Sequence, residues 1–505
     1  MNQWLLLWLF ASVLEGASLL AINRFICDYK AVRAVLWPAV LGLGALTTAF
    51  LVGSDWRVYA FLGVVQLYRL LNVARVMKWR LQRRRLQNSS FRTFVWLVAL
   101  QLVGTGLSLV LVRTATLQGF LYGLGVAVVL VLGVLLRTTA LTWQRTKPKE
   151  LVTYPSDSQL PAVSVLVPAR NETEVLQQCL ESIVASDYPK LEVIVLDDCS
   201  VTKRTPEIIR DFAHEGVRFV AGKEPEERWL PKNWAYQRLY EESSSEILLF
   251  CGVDTRFDPS TIRTLVAHFT MEKRRMMSVM PQRIVADRAR FSLLQPMRYF
   301  WELCLPRRIF KRPPVLSTCW MIERDFLDQC GRFEAVANSI TPEAHFARQA
   351  VTSDTYLFLR SNRYLPIFSA KTQDAQYQTT LRVRYPQLHK RIELVALTAL
   401  FELLCFVWPF LGVVYAVVTV DYILLALMLV ACSLVVSLYA VVSVKTGLCK
   451  PVYGVASTFL AYVVDIVVLH VSCLQYEFGA VTWKGRNVCL PVMQVIPRLP
   501  KLPDA

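Results

Sequence analysis

Histidine is scarce in this chain, at five of 505 residues, and the twelve cysteines are scattered. No Cys-x-x-Cys pair occurs and no histidine stands at ligand spacing from a cysteine. Neither a zinc site nor a disulfide scaffold is therefore indicated. The thiols suit a reduced core or lipid. There is no internal repeat, and the low-complexity stretches are a serine run at 243–245 and a proline-rich tail, VIPRLPKLPDA. Acidic residues are in deficit: 39 Asp and Glu face 56 Lys and Arg, a net charge of +17. The polar middle lacks basic residues interleaved with aromatics, which argues against a nucleic-acid polymer as partner.

What the chain has in quantity is apolar sequence, 54% hydrophobic residues beside 19% charged ones. That mixture suits a protein divided between lipid and water. At roughly 20 residues per crossing, candidate spans are 3–22, 34–53, 57–76, 94–112 and 117–136, then 394–417, 421–443 and 453–475. The third carries Arg69 and Arg75. The first is longer than a signal-peptide core and lacks a basic leader, so it reads as retained. NRFICDYKAVR (23–33), KWRLQRRRLQNSSFR (78–92) and WQRTKPKE (143–150) share one side if the N terminus is outside. Positive-inside bias makes that side cytoplasmic. The expected organisation is N-terminal transmembrane helices in 1–136, a cytoplasmic domain at 150–392, transmembrane or re-entrant helices at 393–476, and a tail at 477–505.

In the middle, PAVSVLVP (161–168) reads as a buried strand, and Val175, Leu176, Cys179, Leu180 and Ile183 then share one helical face. LEVIVLDDCS is a second strand ending in Asp197 and Asp198. A helix near 204–214 leads to a third strand, VRFVAG (217–222), and ILLFCGVDTRFDP (247–259) ends another in Asp254. The alternation predicts a parallel α/β sheet, whose ligands bind at the carboxyl ends of strands. Asn171, Glu172, Asp197, Asp198 and Asp254 all fall at such ends.

Taken in order, VSVLVPARNE, VIVLDDCS, WLPKNWAYQRL and LLFCGVDTRFDP resemble the successive signatures of family-2 glycosyltransferases, which have the GT-A fold. CWMIERDFLDQCGRFEAVANSITPEAHFAR (319–348) is similar to that family's acceptor-side segment. TWKGR (482–486) is similar to the closing motif of membrane-bound members that glycosylate lipids or related acceptors. The resemblance implies a Rossmann-like GT-A domain between α-helical transmembrane regions in a multi-pass cell-membrane protein. It also implies a nucleotide-sugar donor, a UDP-sugar, a membrane-lipid or lipid-linked acceptor, and a Mg²⁺ or Mn²⁺ cofactor.

Site residues follow from the same motifs. The family's D-x-D motif loses its first Asp to Gly252, which leaves Asp254 as the metal carboxylate and weakens metal affinity. Arg256 either faces phosphate or is solvated. Asp197 and Asp198 resemble the acids that read uracil and ribose; read alone, they also suit a helix N-cap with Ser200. Glu172 matches the acid of a P-x-R-N-E-like turn, or else a first-turn acid favoured by the helix dipole. Lys232 matches a phosphate-facing lysine, or else an ordinary surface lysine. Glu343 replaces the Asp of a T-E-D-like motif as general base, longer by about 1.5 Å. Pro342 and Glu343 suit a plain helix start equally well. His345 is a second base candidate, and otherwise a packed helix residue.

The Q-x-x-R-W of processive members is absent: Arg384-Tyr385 stands for Arg-Trp, but Leu381 stands for Gln, which predicts single-sugar transfer. Arg384, Trp483 and Arg486 are lid or interface candidates. Arg382, Arg384, His389, Lys390 and Arg391 also suit anionic headgroups. Three full spans after 392 would separate TWKGR from the domain, so one segment is expected to be re-entrant or interfacial. Glu402, Asp465 and His470, inside those spans, are costly in lipid. Two functions remain open, an inverting glycosyltransferase and a degenerate, non-catalytic relative acting as membrane scaffold or partner subunit. A transporter would show inverted halves, and none are evident.

Overall fold

The computed structural model describes residues 6–8, 10–15, 44, 47, 56–81, 93, 95–103, 117–151, 154–226, 229–284, 294–305, 313–447 and 451–489. Most of the candidate spans 3–22, 34–53 and 94–112, the basic loops 23–33 and 78–92 (beyond Leu81), and the proline-rich tail lie outside the described residues. The chain divides into two compact units. One is Met1–Val131, Arg384–Cys432 and Ile466–Glu477; the other is Leu132–Val383, Ser433–Asp465 and Phe478–Ala505.

The second unit holds the strands β1 (Val163–Ala169), β2 (Leu191–Asp197), β3 (Val217–Ala221), β4 (Ile247–Cys251), β5 (Thr255–Phe257), β6 (Met276–Met280), β7 (Gln282–Arg283), β8 (Cys319–Glu323), β9 (Tyr356–Arg360), β10 (Ile367–Ser369), β11 (Thr482–Trp483) and β12 (Arg486–Asn487). Seven form one sheet in the order β3-β2-β1-β4-β8-β6-β9. Its first four strands are parallel, as the strand–helix alternation predicts. The rest departs from the expected all-parallel sheet, because β8 runs against both β4 and β6. Cys319 pairs with Cys251, so the chain re-enters the sheet at the carboxyl end of β4 without a crossover that would return it to the amino end. This is a mixed α/β sheet, with four apolar helices among the described residues of the flanking sequence.

Both faces are covered, which is why the strands read as continuous apolar runs. Val163, Val165 and Val167 pack on one face with Leu176, Cys179, Leu180 and Ile183 of helix Glu174–Val184. Val175, expected on that stripe, is half-buried. The opposite face carries an aromatic cluster. Phe250 stacks on Trp320 at 4.4 Å, Trp320 on Phe346 at 6.1 Å, and Tyr236 and Phe333 close the group edge-on. Burying such rings is worth several kcal/mol each, since Phe→Ala in a core costs about 3–5 kcal/mol. The cluster ties helices Pro231–Glu242 and Pro342–Thr352 to β4 and β8. A small sheet, β5-β10-β7, sets Ser369 opposite Thr255 and so beside Asp254.

Among the described residues, four helices are long and apolar enough to cross a membrane: Gln118–Arg145, Ile392–Val418, Tyr422–Lys445 and Thr458–Glu477. Residues 403–407 of the second form one π-helical turn, just ahead of Pro409. That is the usual local answer to a proline, which cannot donate to the ladder. The candidate span 57–76 is helical as part of Trp56–Leu81. Its Arg69 is buried against Glu15 at 2.8 Å and also donates to Gln101, which satisfies a charge that lipid would not.

Candidate active site

The site lies at the carboxyl ends of β1, β2 and β4. At the end of β1, Arg170 donates to the Asp198 and Cys199 carbonyls at 2.5 and 2.6 Å and to the Lys484 carbonyl at 3.1 Å. It thereby joins the β2 end to the C-terminal hairpin β11–β12. Lys484 and Gly485 turn that hairpin, both with positive φ (48° and 82°), as a tight two-residue loop requires. The W-K-G-R motif is therefore a turn that points its two cations at acids. Lys484 meets Glu172 at 2.8 Å. Arg486 meets both Asp198 oxygens at 2.8 Å and reaches Glu224 at 2.7 Å.

The two acids ending β2 do different work. Asp197 accepts from Ser200 and so caps its own turn, the local reading of this residue. Asp198 is 2% exposed. Burial pushes its carboxyl up to about 6, and Arg486 pulls against that rise. Each Asp198 oxygen keeps lone pairs for a ligand N–H or hydroxyl. Burial also raises the Glu172 carboxyl, countered by Lys484.

Asp254 follows β4. Its Oδ2 accepts from Ser369 at 2.8 Å, and its carbonyl accepts from the Ala370 amide at 2.8 Å. It lies within Coulombic reach of Glu172 on one side and of Lys232 and Lys371 on the other. Arg256 neither faces phosphate nor is solvated. It is buried and donates to the Val253, Thr255 and Val175 carbonyls and to Gln178, which fixes helix Glu174–Val184 to β5.

Lys232 and Glu343 sit on two helix starts that are stitched together. Each helix begins with a proline, Pro231 and Pro342, at its first turn. Asn233, fully buried, donates to the carbonyls of Val336, Ala337 and Ser339, and Leu230 donates to Ala337. The result brings Lys232 Nζ to 3.9 Å from Glu343 Oε2. Glu343 is 2% exposed, and that oxygen has no hydrogen-bond partner. His345 lies two positions on, half-buried and edge-on to Phe346.

Glu172, Asp198, Lys232, Asp254, Glu343, Trp483 and Arg486 thus fall in one unit. Arg384 belongs to the other unit, where it pairs with buried Glu402 at 2.5 Å. Sequence reasoning missed Lys371, Arg298 and Arg170 and left Arg382 to headgroups. Arg382 lies over the Trp483 ring at 5.4 Å. Only Arg170 sat in a quoted motif, so only it was within reach of the sequence.

The donors present fit a divalent cation poorly. Among the described residues no three metal-ligating side chains gather. Asp254 is the lone carboxylate at its strand end, one of its oxygens is committed to Ser369, and lysines flank it.

Residues 164–331 match the family described as Glycosyl transferase family 2. A Bacillus subtilis protein named Probable glycosyltransferase YdaM is 26% identical over 185 residues, 35% of this chain and 44% of that protein. Glycosyltransferase AglE of Haloferax volcanii is 36% identical over 101 residues, 19% of this chain and 32% of that protein. The chain spans less than half the length of these curated relatives. Among solved structures, the mannosyltransferase PcManGT of Pyrobaculum calidifontis, in complex with GDP-Man and Mn²⁺, aligns at 16% identity with a TM-score of 0.41, covering 69% of this chain and 99% of that one. The likeness is thus to family-2 glycosyltransferases, and it is confined to residues 164–331.

Proposed function

We propose that the chain is an inverting, non-processive glycosyltransferase moving a sugar from a nucleotide-sugar donor, a UDP-sugar, to a hydroxyl of a membrane lipid or lipid-linked acceptor. The observation that carries this reading is Glu343, a nearly fully buried carboxylate whose Oε2 lacks a hydrogen-bond partner beside a lysine 3.9 Å away. A buried acceptor oxygen without a donor costs about 1–3 kcal/mol, a cost an acceptor hydroxyl would remove. Glu343 then takes the hydroxyl proton as the acceptor oxygen bonds to the anomeric carbon. The bond from that carbon to the diphosphate breaks in the same step, and its electron pair leaves on the diphosphate oxygen. Lys232 holds Glu343 in place. Asp198 and Glu172 accept from the nucleoside. A divalent cation, expected from the resemblance, would supply Lewis-acid charge to the leaving group; the donors described above fit it poorly. Leu381 in place of Gln, and an Arg384 already committed to Glu402, support single-sugar transfer.

The domain is assigned to the cytoplasmic face by the basic-segment bias of the sequence. An even number of crossings after residue 392 belongs to this reading, and the hairpin's pairing with Asp198 supports it. Thr458–Glu477 is the best candidate for an interfacial segment. It is the shortest and least apolar of the four long helices. Its buried Asp465 accepts from Trp301 at 3.0 Å. The test is purified full-length chain in nanodiscs containing membrane lipid extract, given a panel of nucleotide sugars. Nucleoside diphosphate release with a new glycolipid by mass spectrometry is expected, abolished in Glu343→Gln. Nucleotide binding without turnover in every extract would instead favour the non-catalytic relative.

A further inference from the structure

We propose that this chain neutralises the diphosphate of its ligand with its own cations, Lys371, Lys232, Arg298 and Arg382, in place of a divalent ion at Asp254. The inference rests on the nucleotide-sugar reading above and names what holds the leaving group.

The geometry starts from a gap. Gly252 occupies the position facing Asp254: a Cβ there would lie 2.7 Å from Asp254 Oδ1. Where a second carboxylate would complete a cation site, there is no side chain. Lys371, by contrast, is pinned to the spot. Its neighbour Ala370 donates to the Asp254 carbonyl, and Ser369 donates to the Asp254 carboxylate. Lys232 comes in from the opposite helix start, 3.9 Å from Glu343 and 5.1 Å above the Tyr236 ring. Arg382 is held over Trp483 of the hairpin. Arg298 projects from helix Leu294–Cys304, part of the segment that the reversed β8 leaves at the carboxyl side of the sheet, and its Nε is buried without a hydrogen-bond partner.

Arg298 and Arg382 both act on the two lysines. Lys371 is pushed down to about 8, by burial first, with Arg298, Arg382 and Lys232 adding to the fall and Asp254 opposing it. Lys232 is lowered by burial, with Arg382 and Arg298 contributing and Glu343 and Asp254 opposing. Four positive groups around two carboxylates leave a surplus of two. A nucleotide sugar's diphosphate carries two negative charges and gains a third as the glycosidic bond breaks. Fixed cations are most valuable where charge develops in the reaction. Lysine serves as a point charge and arginine as a planar fork for phosphate oxygens.

The test is calorimetric titration of the full-length chain in nanodiscs, in EDTA and again in saturating Mn²⁺. The probes are UDP, GDP, UMP, inorganic pyrophosphate and a short isoprenyl diphosphate. In EDTA, UDP or GDP should bind about tenfold or more tightly than UMP, since each charge-assisted contact is worth that much. Mn²⁺ should change this little. Lys371→Gln should erase the diphosphate advantage, and Lys371→Arg should restore it, with thermal melts checking that each variant folds. A diphosphate advantage that appears only with Mn²⁺, or that Lys371→Gln leaves intact, overturns the proposal. Pyrophosphate or isoprenyl diphosphate binding through Lys371, with no nucleotide bound, keeps the cluster and instead refutes the nucleotide donor. Failure of every diphosphate to bind in EDTA refutes the cluster.

Discussion

Arg486→Ala should open the C-terminal hairpin. In the folded chain this guanidinium makes two 2.8 Å bonds to a carboxylate that is 2% exposed, and is itself only 9% exposed. Removing one partner of such a pair typically costs about 3–5 kcal/mol. Here the lower end applies, because Asp198, already near 6, can take up a proton instead of remaining an uncompensated charge. The folded site holds the ionised form at a cost of roughly 3 kcal/mol, the rise from 3.8 to about 6 at 1.36 kcal/mol per pH unit. Losing roughly 3 kcal/mol from the closed hairpin raises its opening equilibrium about 10²-fold. The Val488 amide, bonded to the Val481 carbonyl at 3.0 Å, reports the opening. Hydrogen exchange of a peptide covering 481–489 should accelerate by up to that factor, while peptides from β1 and β4 stay protected. Exchange at the wild-type rate would refute the reasoning, since Arg486 would then be a surface ornament of the hairpin.

The same carboxylate predicts a pH response. The folded pKa lies above the unfolded value, so this group favours the fold fully below 3.8 and loses that contribution as pH rises through about 6; acidification does not unfold the domain through it. What acidification removes is the ion pair, so hairpin exchange, corrected for its intrinsic pH dependence, should rise below about 6 in the wild type and stay flat in Asp198→Asn. Asn233→Ala removes three hydrogen bonds made by a fully buried amide, at 2.8, 3.1 and 2.7 Å. It should destabilise the chain by about 3 kcal/mol and lower kcat more than it raises KM, because the stitch positions Glu343; equal loss in both parameters would count against that role. Gly252→Asp places a Cβ 2.7 Å from Asp254 Oδ1 and sets like charges together, so a thermal melt in EDTA should fall by several degrees, and Mn²⁺ should recover part of the loss. An unchanged melt would mean position 252 does not face Asp254.

The strand ends and the helix Glu174–Val184 were legible because apolar runs and helical spacing are local signals, and Leu176, Cys179, Leu180 and Ile183 pack as their spacing predicts. The reversal of β8 was not. CWMIE reads the same in either direction, and only its pairing with β4 fixes the sense. Asp197 and Asp198 looked alike in sequence, yet one caps a turn and the other meets the hairpin, a distinction made by Ser200 and by a residue 288 positions away. Arg256 stood beside the right acid and turned to packing. Lys371 and Arg298 carry no motif. Their placement depends on β10 pairing with β5 and on the chain staying at the carboxyl side before β8.

The most direct test of the catalytic assignment is a structure of full-length Glu343→Gln, in nanodiscs, with an intact nucleotide sugar bound. The account predicts the base against Asp198, the diphosphate between Asp254 and Lys371, and the anomeric carbon turned towards position 343 from the side opposite the diphosphate. A nucleotide seated away from the carboxyl ends of β1, β2 and β4, or one whose sugar faces away from position 343, would contradict it.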